Sequence, residues 1–123
     1  MPISYRIDAG RRLVVTTAHG VLTDEDILTL KRRLTDDPEF QTNMCELSDV
    51  RSITDLQVTP AGIQKMVALD SISPPTGYRL AIVVGENVVF GMARMYQSLT
   101  ERSLPHVNVF RDYDAATRWL GVA

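Results

Sequence analysis

Apolar residues alternate with polar ones at Ile3, Tyr5 and Ile7, pause at Asp8-Ala9-Gly10, and resume at Leu13, Val15 and Thr17 on to Val21. A period of two on both sides of a turn-forming cluster predicts a β-hairpin. The period then lengthens. Ile27, Leu30 and Leu34 fall on one helical face, behind Thr23 as a hydroxyl cap. Asp24, Glu25 and Asp26 place negative charge on the first turn, and Lys31, Arg32 and Arg33 place positive charge on the last, complementing the helix dipole. Asp37-Pro38 stops this helix, and Met44 to Val50 reads as the next strand.

Thr59-Pro60 is the clearest helix start in the chain. Threonine caps, proline suits the first helical position, and Val58 is placed to staple against Ile63, with Ile63, Met66 and Val67 as the buried stripe. Pro74-Pro75 and Gly77 break the chain before Arg79 to Val84, an apolar run without alternation that predicts a central strand covered on both faces. Asn87 then caps a helix through about Arg102, Val107 and Val109 mark a short strand, and Asp112 opens a last helix that ends at Trp119-Leu120 with Gly121 as C-cap. The order is ββαβαβαβα, an α/β fold. Its mixed five-stranded sheet has an antiparallel hairpin first and parallel βα units after it, with four helices to cover both faces.

A chain of 123 residues suits one core, so a single domain over 1–123 is expected. Hydrophobic residues at 45% and charged ones at 23% exclude a disordered reading. The net charge of −2 argues against a nucleic-acid partner, which selects a basic face. The longest apolar stretch, Leu80 to Val84, is far short of the roughly 18 residues a membrane span requires. Met1 to Arg6 lacks the layout of a secretory signal, and the single Cys45 forms no intrachain disulfide, so a cytoplasmic location is expected.

Several phrases resemble the STAS-like proteins, and among them the small bacterial SpoIIAA-like branch related to the sporulation anti-anti-sigma factor. They are Tyr5-Arg6-Ile7-Asp8 with Leu13-Val14-Val15, Glu46-Leu47-Ser48-Asp49-Val50, Val89 to Tyr96, and Val109-Phe110-Arg111-Asp112 leading to Ala116 and Trp119-Leu120. The resemblance implies a domain that acts by contact with a protein partner or with itself. In regulatory members an aspartate precedes a serine or threonine at the start of the second helix, and a kinase phosphorylates that hydroxyl. Here Ile53-Thr54-Asp55 resembles the strand-end part of the signal, but Leu56-Gln57-Val58-Thr59-Pro60 replaces the short serine-glycine segment. Thr59 is thus the candidate phospho-acceptor by position, while a plain helix cap already explains it.

The helix after Asn87 carries Phe90, Met92, Met95 and Tyr96, more apolar width than one core-facing stripe requires, and these four form the candidate partner surface. Arg51, Asn87 and Arg111 sit where open α/β sheets bind ligands, at the carboxyl ends of strands. They form the alternative site, for an anionic or lipid-like molecule such as some lipid-carrying relatives hold. Gly85 alone lacks the spacing of a phosphate-cradling loop. His19 and His106 have no second ligand at metal spacing, and no nucleophile elbow, Walker loop or dinucleotide fingerprint occurs. The expectation is a non-catalytic domain with no cofactor and no metal.

Overall fold

The computed structural model describes residues 2–41, 43–72, 79–85, 87–99 and 106–122. The Pro74-Pro75 and Gly77 break, and the reach of the third helix toward Arg102, lie outside the described residues. Nine elements follow in the expected order: β1 (Ile3–Asp8), β2 (Leu13–Thr23), α1 (Asp24–Asp36), β3 (Cys45–Gln57), α2 (Pro60–Ile72), β4 (Leu80–Val83), α3 (Asn87–Leu99), β5 (Val107–Phe110) and α4 (Tyr113–Leu120).

The five strands lie side by side in chain order, β1 antiparallel to β2 and every later pair parallel. A sheet that grows by one neighbouring strand per crossover, always in one direction and with one hand, keeps its crossover helices on one face. Strand parity shows the result. Val14, Ala18, Val50, Leu80 and Ile82 face α1, α2 and α3, while Leu13, Val15, Leu47, Ala81 and Val83 face α4 through Ala116 and Leu120. Leu47, Ala81 and Val83 are buried on the α4 face and Val50 and Leu80 on the other, so β3 and β4 carry both halves of the core.

The run from Leu80 is an inner strand, as expected, with β3 and β5 on its two sides, although the middle of the sheet is β3. β3 also departs from its expected bounds. It runs to Gln57 instead of ending at Val50, because β2 is long and offers a partner throughout, pairing Thr23 with Gln57. The ladder between them shifts register at Thr17/His19 and again at Gly20/Val21. Gly20 has φ 68°, a left-handed conformation that glycine adopts at no steric cost, which lets β2 absorb an irregularity without ending.

The local signals behave as their chemistry requires. Thr23 and Asp26 form a reciprocal capping box at α1, and Asp112 caps α4, which ends on Gly121 in a left-handed C-cap. Asn87 is not a cap. It is already the first residue of α3.

Candidate functional site

Thr59 caps α2 by accepting a 3.0 Å hydrogen bond from the Gly62 N–H. Val58 and Ile63 pack in one cluster beside it, as a staple does. The aspartate that meets this threonine is Asp24, not Asp55. Asp24 opens α1, and its carboxylate accepts from the Thr59 N–H at 2.9 Å and from the Thr59 hydroxyl at 2.6 Å. The two helix N-termini therefore share one carboxylate, favourably placed toward the positive ends of both dipoles. Gly62 makes room for it: a β-carbon there would overlap the Asp24 carboxylate. Asp55 lies on β3 and accepts instead from Gln57 at 3.0 Å. A glycine inside a helix, where alanine is intrinsically better, was the one sequence signal of this close approach.

The four partner-surface candidates on α3 are not equivalent. Tyr96 is buried at 6% exposure, beneath the Lys31 ammonium 5.6 Å from its ring. Phe90 is half-buried and carries the Arg111 guanidinium 4.6 Å above its ring centre. Met92 and Met95 are half-buried and pack against the cluster that joins Ile63 and Met66 of α2 to Leu80 and Tyr96. Val89, Ala93 and Tyr96 hold the helix to the core, so the methionines lie on its flank. Leu99 continues that flank at helical spacing and is 45% exposed, a position the sequence reading did not single out.

Arg51, Asn87 and Arg111 do lie near the carboxyl ends of β3, β4 and β5, but the two arginines do not converge. Arg51 holds Asp49 with two hydrogen bonds, of 2.9 and 2.8 Å, and covers the Tyr113 ring of α4 at 5.0 Å. Arg111 donates to Asn87 Oδ1 at 2.9 Å and to the Gly85 carbonyl at 3.3 Å, over Phe90 of α3. Because α3 and α4 cover opposite faces, one guanidinium serves each side of the sheet. The Arg51 guanidinium holds the Asp49 carboxyl below its ordinary range, while burial opposes it.

Tyr5 marks a further polar cluster at the outer margin of the sheet. Its hydroxyl donates to Asp37 at 2.7 Å, which raises the phenol's pKa and lowers that of the carboxyl. A shallow groove of about 210 Å³ runs beside it, lined by Ile3, Ser4, Tyr5, Leu30 and Arg33. Among the described residues no three of His, Cys, Asp and Glu gather as metal ligands, and no helix is long and apolar enough to cross a membrane.

No known protein-family description matches the sequence, and no curated protein matches it. One solved structure similar to it is an uncharacterised protein of the DUF3478 family with a SpoIIAA-like fold, from Shewanella loihica PV-4. The TM-score is 0.61 at 18% identity, covering 96% of this chain and 93% of that one. The chain therefore has the SpoIIAA-like fold along nearly its whole length.

Proposed function

We propose that this SpoIIAA-like domain works without catalysis, by contact between its α3 flank and another protein. The observation that carries the reading is the apolar flank itself: half-buried Met92 and Met95 lead to Leu99, one of two large hydrophobic side chains well exposed among the described residues. Adaptable thioether side chains beside an exposed leucine suit a surface that closes on a partner. The groups with displaced protonation support the non-catalytic half of the reading. Asp8, Asp49 and Arg51 each owe the displacement first to an ion-pair partner, and Tyr5 and Asp37 to one another. Among the described residues these groups fall at three separate places, Asp8 with Arg11, Asp49 with Arg51 and Tyr5 with Asp37. The reading in which Arg51, Asn87 and Arg111 hold an anionic or lipid-like ligand has less support, since both arginines are engaged and face different sides.

The test is quantitative capture by immobilised protein, comparing the native sequence with Met92→Glu, Met95→Glu and Leu99→Glu, all three verified as folded. A protein retained by the native flank and lost by all three variants supports the proposal. Equal recovery by every variant, or turnover of a metabolite by the native chain, overturns it.

A further inference from the structure

The two margins of the sheet are finished differently. On β5, His106 and Phe110 turn their carbonyls to β4, so the backbone groups of Val107 and Val109 point outward. One outward group of each is engaged there: Gln97 Nε2 donates to the Val107 carbonyl at 2.7 Å, and the Asn108 side-chain oxygen accepts from the Val109 N–H at 3.0 Å. On β1 the Pro2 carbonyl accepts from His19, and Ser4, Arg6 and Asp8 follow the same parity. Ile3, Tyr5 and Ile7 thus turn their N–H and C=O groups outward, and among the described residues nothing meets them. This margin is six residues long and pairs with β2 without a register break. A straight, unbulged edge of that kind is a template for a further strand.

We propose that β1 pairs with β1 of a second copy, antiparallel about a two-fold axis at Tyr5, joining two sheets into one. This goes beyond the α3 contact and uses a separate surface. Two features of the edge select a copy of itself as the occupant. Outward groups fall on Ile3, Tyr5 and Ile7, so an axis at Tyr5 sets Ile3 against Ile7 of the other copy and Tyr5 against its counterpart, with every outward N–H and C=O satisfied. The side chains agree: the apolar positions of the pair meet on the helix-covered face, and on the other face Ser4 opposes Arg6, avoiding the arginine–arginine pair that moving the axis to Arg6 would create.

Light scattering on the full chain over a dilution series reads the mass. The expected result is twice 13.7 kDa, returning to one chain mass on Ile7→Pro, which removes an outward N–H that β2 does not use. Register is read separately, because a proline also affects folding of the hairpin. In a Cys45→Ser background, Ser4→Cys protein mixed with Arg6→Cys protein forms a covalent heterodimer on mild oxidation, in large excess over either homodimer. A single-chain mass at every concentration overturns the proposal. So does a dimer untouched by a folded Ile7→Pro variant, a Ser4→Cys or Arg6→Cys homodimer as the main product, or a monomer that takes up an unrelated extended peptide along β1.

Discussion

The Asp24 carboxylate and the Thr59 hydroxyl, 35 residues apart in sequence, are joined by a 2.6 Å hydrogen bond, with the Thr59 N–H on the same carboxylate. The bond ties the start of α1 to the start of α2 and leaves the threonine oxygen free to accept from Gly62. Thr59→Ala is expected to lower stability by about 1–2 kcal/mol through loss of the cap. A double-mutant cycle with Asp24→Ala in urea should return coupling of about 1 kcal/mol. Thr59→Asp, which imitates the negative charge of a phosphoryl group, sets two carboxylates together and should be more destabilising than Thr59→Ala, a loss that Asp24→Asn restores.

Gly62→Ala should carry opposite signs in two backgrounds. Alanine gains about 1 kcal/mol over glycine in a helix interior. Against the native carboxylate, however, its β-carbon overlaps Asp24 and the variant should melt lower. In an Asp24→Ala chain the obstruction is gone, and the same substitution should raise the melting temperature.

The Tyr5–Asp37 hydrogen bond links stability to pH at both extremes. The Asp37 carboxyl is lowered from 3.8 by accepting from Tyr5, so its contribution is present above 3.8 and is lost as pH falls through the lowered value. The Tyr5 phenol is raised from 10.0 by the same bond, so its contribution is present below 10.0 and is lost as pH rises through the raised value. Denaturation of Tyr5→Phe across pH should show both limbs flattened relative to the native chain. Asp49, lowered by Arg51, keeps its own acid limb in that variant.

Thr16 is 1% exposed, and among the described residues its hydroxyl has no hydrogen-bond partner. Valine has the same shape without the polar group, so Thr16→Val should raise stability by about 1 kcal/mol, read as a higher urea midpoint at unchanged slope.

Arg111 joins the end of β5 to α3 through Asn87, the Gly85 carbonyl and the Phe90 ring. Arg111→Lys keeps the charge but not the planar fork, so it should lose nearly as much as Arg111→Ala, about 0.5–1 kcal/mol at this exposed site. A lysine variant as stable as the native chain would leave charge alone as the cause.

Elements whose signals are local were legible in the chain. The capping box at Thr23, the Thr59-Pro60 start and the apolar run from Leu80 each carry their own explanation within a few residues. The second half of β3 was not legible, because Arg51 to Gln57 has only Ile53 and Leu56 as apolar residues and owes its extended state to pairing with β2. Asp24 was missed for a related reason: its charge suits the α1 dipole, which hides its longer-range bond to Thr59. Likewise the chain places Phe90, Met92, Met95 and Tyr96 on one helix, but only packing divides buried Tyr96 from the methionines on the flank.

Gln97 and Asn108 decide how far edgewise growth of this sheet can go. Each engages one outward backbone group of β5, so a strand arriving on that side must first displace an amide, whereas an arrival at β1 displaces nothing among the described residues, and the proposed joining through β1 closes at a pair. Removing those two amides should lower the obstacle on the β5 side and open a second direction of growth.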